Sequence, residues 1–113
     1  MGIMFGFAAH RRDQLDAELR RMSEELPKLG VQRAYLTGGF AQGAVDHETS
    51  LDLVLVHETA EPYHRRADFF TTHLRPRVGA NFAVYTPAEF DRYEHDDPLL
   101  IAAIRSGPTR NDA

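Results

Sequence analysis

Apolar residues in the first third of the chain follow a helical spacing. They recur at alternating steps of four and three residues, which places them on one face of a helix. The repeated positions are Leu15, Leu19, Met22, Leu26 and Leu29. The spacing predicts an amphipathic helix from Arg11 to Leu29, with Pro27 weakening its last turn and Gly30 ending it.

Three short apolar segments predict β-strands. They are residues 34–36, which run into Gly38 and Gly39, the segment LDLVLV at 51–56, and NFAVY at 81–85. The second segment is almost continuously apolar, which is typical of a strand covered on both faces. Only Asp52 interrupts it.

Helix signals stand between and after these strands. Pro62 suits a first helical turn, and Tyr63, Arg66, Phe70 and Leu74 then fall near one face, which predicts a helix of about three turns. Pro76 and Gly79 close this helix.

A second helix start follows the third strand. Thr86 is a good N-cap, Pro87 suits the first turn, and Glu89 stands three residues after the cap, as in a capping box. The pattern also predicts a short apolar helix from Leu99 to Arg105, before the sequence becomes polar.

The length and the order of elements indicate one small domain. With 113 residues, of which 42% are hydrophobic, the chain can bury a core of its own but has little room for a second domain. We expect an N-terminal extension at 1–10, a domain at 11–107 and a polar tail at 108–113. The elements predict an α/β (α+β) fold with a small mixed sheet of three to four strands flanked by helices.

Charge and residue usage narrow the function classes. The net charge is −4 and 13 basic residues are scattered among 17 acidic ones, so we expect no extended nucleic-acid surface. The chain has no cysteine, which excludes disulfides, thiolate metal sites and thiol catalysis and is compatible with a cytoplasmic location. The apolar opening is short and no basic region precedes it, so we expect neither a signal peptide nor a membrane partner.

Other candidate groups carry little chemistry. None of the six histidines stands in an HxH or HExxH pattern, so no histidine metal site is predicted. No GxSxG nucleophile elbow occurs. Arginines at 65 and 66, and at 75 and 77, are interpreted as solvated surface charges.

The most informative stretch is GGFAQGAVDHETSLDLVLV, residues 38–56. A strand that runs into Gly38 and Gly39 leads to a short helix, and the backbone N–H groups of a helix N-terminus attract phosphate. Gln42 and Gly43 continue this candidate nucleotide-binding turn, and glycine permits a close approach of the ligand. A tight strand-to-helix connection is the alternative explanation for the glycines.

This stretch resembles the minimal nucleotidyltransferase family, small domains of the polymerase beta superfamily. The family pattern is close to GSxARGxxxxxSDxDLxV, followed by a DLVVYTPEEF-like segment, and this chain has NFAVYTPAEF at 81–90 and DDPLLIAAIRSG at 96–107. The resemblance spans roughly residues 30–107 and implies a nucleotidyltransferase-like fold. Active members of such a family use Mg2+ ions held by Asp residues to transfer a nucleotide.

The chain departs from the family pattern at the positions that the resemblance assigns to catalysis. Asp52 matches the second metal-binding Asp, whereas Ser50 takes the first position and Asn81 the third. Gly39 replaces a serine that helps to hold the phosphates, and Gln42 replaces an arginine common in active members. Because Mg2+ prefers anionic oxygen ligands, we expect metal binding and efficient turnover to be lost, and no cofactor to be needed.

Two alternatives concern the acidic residues. Asp52 is also explained as a structural residue bonded to a backbone N–H. Asp46 and Glu48, in the preceding loop, are candidates to replace the missing acids, although their spacing does not place them on the strand face of Asp52.

Three functions stay open at this point. The first is a nucleotidyltransferase-fold domain without catalysis that serves as a binding or scaffold module. For it the resemblance implies a helical partner of the HEPN class, as in toxin–antitoxin pairs whose active form transfers AMP to its partner. The second is an active Mg2+-dependent nucleotidyltransferase that transfers NMP to a hydroxyl with Asp52 assisted by Glu48 or Asp46. The third is a homo-oligomer formed through a strand edge or the final helix, without a ligand.

Overall fold

The fold is a small α+β domain, as the sequence predicts. A computed structural model describes residues 2–93, and the side chains of residues 9–92. The predicted helix at 99–105 and the polar tail lie outside the described residues. No helix within the described part is long and apolar enough to cross a membrane.

Helix α1 (Gly2–Glu25) opens the chain and starts nine residues before the predicted position. The prediction was wrong because it followed only the apolar stripe. Residues 2–10 contain no proline and two glycines, Gly2 at the first position of the helix and Gly6 inside it, and a helix tolerates an internal glycine at a cost of about 1 kcal/mol. The boundary placed between residues 10 and 11 therefore falls inside one helix.

The end of the predicted first helix is a separate 3₁₀ turn (Leu26–Leu29). Pro27 lacks the N–H that a continuing α-helix would need, so the backbone tightens there. Gly30 closes the turn in a left-handed conformation, φ 94°, and its N–H donates to the carbonyl oxygen of Pro27 at 3.1 Å. This agrees with the predicted roles of Pro27 and Gly30.

The remaining elements alternate strands and helices. In chain order they are β1 (Val31–Thr37), the one-turn α2 (Gly38–Ala41), β2 (Leu51–His57), α3 (Tyr63–Leu74), β3 (Ala80–Tyr85) and α4 (Pro87–Tyr93). The sheet has the order β1-β2-β3, with β1 antiparallel and β3 parallel to the central strand β2. The parallel pair requires a crossover connection, which α3 supplies.

Side chains of β2 point alternately to two apolar layers. Leu51, Leu53 and Leu55 join a core with the stripe of α1 and with α3, and they are almost fully buried. Val54 and Val56 join a second layer to which α4 contributes. The prediction that β2 is covered on both faces is confirmed. Along β2, only Asp52 brings a charged side chain into this otherwise apolar alternation.

The environment of Arg66 differs from the one that the sequence analysis expected. It is buried, with 8% of its surface exposed, whereas the sequence analysis treated it as a solvated charge. Its guanidinium contacts Glu89 of α4 at 2.6 and 3.1 Å and donates to the carbonyl oxygens of Glu61 and Val84. Arg66 thus ties α3 to β3 and α4.

Candidate functional site

The candidate site lies at the end of the sheet where β1 ends and β2 and β3 begin. Ser50 directly precedes β2, and Asp52 is the second residue of that strand. In the register of the sheet Asp52 is paired with Thr37 on one side and Asn81 on the other. Because residues two apart on a strand share a face, Ser50 and Asp52 are neighbours as well. The structure therefore brings together Ser50, Asp52 and Asn81.

Neutral side chains hold the carboxylate of Asp52. The Nδ2 group of Asn81 donates to Oδ1 of Asp52 at 2.8 Å and lies 3.4 Å from Oγ of Ser50. The hydroxyl of Ser50 donates to the same Oδ1 at the longer distance of 3.4 Å. Within residues 9–92 the carboxylate of Asp52 has these side-chain donors and no backbone N–H donor, unlike in the structural alternative considered from the sequence.

Gly38 packs directly against this carboxylate. Its backbone is left-handed, with φ of 78°. A Cβ atom at Gly38 would lie 3.0 Å from Cγ of Asp52 and would overlap its Oδ2. Both the backbone conformation and the lack of space require glycine here, so the first glycine of the turn serves the contact with Asp52.

The other predicted residues of the glycine turn, Gly39, Gln42 and Gly43, do not line the pocket beside Asp52. The N–H of Gln42 donates to the carbonyl oxygens of Gly38 and Gly39, and the N–H of Gly43 donates to that of Phe40 at 3.1 Å. These N–H groups are used within the turn, and both residues are exposed. Of the four predicted nucleotide-binding residues, only Gly38 lines the pocket described below.

The loop acids also have local roles. Oδ1 of Asp46 accepts hydrogen bonds from the N–H of Glu48 at 2.8 Å and from the hydroxyl of Thr49 at 3.2 Å. The first of these bonds is the main reason that the pKa of Asp46 lies below its ordinary value. Asp46 and Glu48 are exposed, and neither lines the pocket with Asp52.

Arg11 positions the same loop and was missed by sequence reasoning. Its Nε and Nη2 groups donate to the carbonyl oxygen of Thr49 at 3.2 and 2.8 Å. Helix α1 thereby fixes the backbone one residue before Ser50. The sequence offers no signal for this role, because Arg11 stands in a run of charged residues and its partner is 38 positions away.

A pocket of about 270 Å³ opens beside Asp52. Its lining consists of Thr37, Gly38, Asp52, Leu53, Asn81, Phe82 and Ala83. Asp52 is the one charged residue in this lining. Thr37, Leu53, Phe82 and Ala83 were not predicted, although the strand positions explain their presence. Thr37 is paired with Asp52, Leu53 and Phe82 directly follow Asp52 and Asn81, and Ala83 lies two residues after Asn81 on the same face.

The residues at this pocket do not fit a pair of Mg2+ ions. Among the described residues that line the pocket, Asp52 is the only anionic ligand, and Asn81 turns an N–H donor, not an oxygen, toward it. Among residues 9–92, no group of three or more His, Asp or Glu side chains is placed to hold a metal ion. The donor set is that of a hydrogen-bonded cluster.

Comparisons of the chain with models of known families, with curated proteins and with solved structures found no match. The resemblance to minimal nucleotidyltransferases therefore stays a prediction from the two sequence motifs.

Proposed function

We propose that this chain is a nucleotidyltransferase-fold domain that has lost catalysis and serves as a binding module. The resemblance of residues 38–56 and 81–90 to the minimal nucleotidyltransferase pattern supports the family. A partner of the HEPN helical class and a cytoplasmic location are parts of this proposal. The mixed three-stranded sheet is compatible with it.

The observation that carries the proposal is the hydrogen bond between Asn81 and Asp52 at 2.8 Å. It joins the positions of the second and third family carboxylates and replaces like-charge repulsion with attraction between a donor and an acceptor. Three carboxylates at these positions would need cations to neutralise them, whereas one carboxylate with two neutral partners has no like charges to neutralise. The substitutions therefore favour folding at the expense of metal-dependent chemistry.

The first test is transfer of label. We expect no labelled product from α-labelled ATP with Mg2+ or Mn2+, either on the protein itself or on a co-expressed HEPN-class partner. Labelled product that disappears in Asp52→Asn would contradict the loss of catalysis and would favour the active-enzyme alternative.

The second test restores the missing charges. The double substitution Ser50→Asp with Asn81→Asp supplies the carboxylates of the family pattern. We expect its affinity for Mn2+, measured by calorimetry, to exceed that of the wild type about 10-fold or more. The matched control is Ser50→Asn with Asn81 kept, which adds similar volume without charge. Equal Mn2+ affinity of the wild type and the charged variant would count against the proposed equivalence of these positions.

A further inference from the structure

We propose that the pocket beside Asp52 binds an organic cation, a guanidinium or alkylammonium group, in preference to a phosphate. This inference rests on the proposed function, because it names the ligand class of the same site once the metal ions are gone. Its basis is the charge of the pocket and the hydrogen-bond capacity that remains there.

The groups at the pocket that can still form hydrogen bonds are acceptors on Asp52 and Asn81. Oδ1 of Asp52 already receives the amide of Asn81 and the hydroxyl of Ser50. Oδ2 receives no hydrogen bond from the residues that the structure describes, and it lies beside Gly38, which lines the pocket together with Asp52. The amide oxygen of Asn81 is likewise without a donor in the described part of the chain, because its Nδ2 makes both of the bonds of that side chain. Two open acceptors match a ligand with several N–H donors.

The charge points to the same ligand class. Asp52 brings one negative charge, and none of the described residues that line the pocket is Lys or Arg. A triphosphate would bring further negative charge beside this carboxylate without the divalent ions that would bridge them. A guanidinium or ammonium group instead forms a charge-assisted hydrogen bond with Oδ2, which is about twice as strong as a neutral one.

The remaining lining suits the alkyl stem of such a cation. Phe82 and Ala83 are apolar, partly exposed residues of the lining, whereas Leu53 offers almost no surface because only 1% of it is exposed. An alkylguanidinium or alkylammonium ligand places its charged head at the acceptors while its carbon chain covers apolar surface. The volume of about 270 Å³ is sufficient for a group of this size and small for a whole nucleotide.

The test compares two small molecules of nearly the same shape, ethylguanidinium and N-ethylurea. Titrations are followed by NMR on the backbone amide of Gly38 and the side-chain amide of Asn81. We expect saturable shifts with ethylguanidinium only. Asp52→Asn should weaken this binding about 10-fold or more, since a hydrogen bond to a charged group is lost. The control Asp46→Asn changes an acid outside the pocket and should bind as the wild type does.

Several results would overturn the proposal. They are equal shifts with N-ethylurea, tighter binding of metal-free ATP at the same amides, or an equal loss of affinity in Asp46→Asn and Asp52→Asn. The comparison of the two small molecules needs no variant, so a folding defect of Asp52→Asn leaves the test intact.

A second arm distinguishes the sources of the cation. A capped Gly-Arg-Gly peptide that binds more tightly than ethylguanidinium supports an arginine of a protein partner, whereas weaker binding of the peptide supports a free small cation. The outcome is separable from that of the proposed function, because label transfer and Mn2+ affinity are measured without these ligands.

Discussion

Asp52 and Glu89 are both partly buried carboxylates with hydrogen-bonded partners, but the partners differ in kind. Glu89 receives the guanidinium of Arg66 at both oxygens and also the N–H of Thr86 at 2.9 Å. Within the described residues, Asp52 receives only neutral donors, from Asn81 and Ser50, and both act on one oxygen. The acid at α4 is fully engaged by a cation, whereas the acid in β2 keeps an unused acceptor.

This difference separates a structural acid from a candidate binding acid. A charge that is paired and hydrogen-bonded at every atom has no capacity for a ligand and contributes through the packing of the elements it joins. A carboxylate with an open oxygen beside a pocket contributes less to stability and retains capacity for a ligand. The two acids should therefore respond in opposite ways to substitution: the first mainly in stability, the second mainly in binding.

The largest effect on stability is expected at Arg66, the partner of Glu89. Arg66→Met keeps much of the side-chain volume but removes the bonds to Glu61, Val84 and Glu89. It should lower the free energy of unfolding by about 2–3 kcal/mol, because the hydrogen bonds of the buried guanidinium are lost while the partly buried carboxylate of Glu89 remains without its cation. Denaturant unfolding followed by circular dichroism measures this loss.

The control for this variant is the neighbouring arginine. Arg65 is exposed on the same helix, so Arg65→Met should change the free energy of unfolding by less than about 0.5 kcal/mol. Equal effects of the two substitutions would mean that the contacts of Arg66 do not stabilise the fold.

An intermediate effect on stability is expected at Gly38, whose backbone contacts Asp52. Gly38→Ala places a methyl group against Asp52 in a left-handed backbone and should destabilise the protein by about 2 kcal/mol. Gly43→Ala is a close control, because Gly43 has a similar φ of 82° with no atom within 4 Å of the added carbon. It should cost about 1 kcal/mol from the backbone alone. Equal losses in thermal unfolding would show that the contact between Gly38 and Asp52 is unimportant.

Local patterns predicted much of the fold. The three strands, α3 and the start of α4 follow from apolar spacing and cap residues, and the capping box is present in both directions between Thr86 and Glu89. The early start of α1 was missed because its first turns lack the apolar period of the later ones. The burial of Arg66 was missed because its carboxylate partner lies 23 positions away on another helix.

The sequence predicted which residues form the site but not the contacts that they make. The family resemblance singled out Ser50, Asp52 and Asn81, and the strand register brings them together. Their hydrogen bonds depend on the parallel alignment of β2 and β3, which no local pattern fixes. The turn residues Gln42 and Gly43 were assigned to the ligand from sequence, but their N–H groups bond within the turn. Sequence spacing cannot tell a free N–H from one that a neighbouring carbonyl has already taken.

The smallest expected effect is the pH dependence of the stability that Glu89 contributes. The hydrogen bond from Arg66 is the main reason that the pKa of Glu89 lies below its ordinary value of 4.5. The folded protein then binds this proton less readily than the unfolded chain, so the stabilisation is present above about pH 4.5 and is lost as the pH falls through the lower folded pKa. Glu89→Gln should cost about 1 kcal/mol at pH 7, allowing for screening because 34% of the side chain is exposed. When unfolding is measured from pH 7 to pH 3, the difference in free energy of unfolding between wild type and Glu89→Gln should become smaller below pH 4.5. In an Arg66→Met background most of this pH dependence should vanish. If the difference in free energy of unfolding between wild type and Glu89→Gln stayed constant with pH, the ion pair with Arg66 would not stabilise the charged form of Glu89. Glu89 and Asp52 would then not differ in the way that their partners suggest.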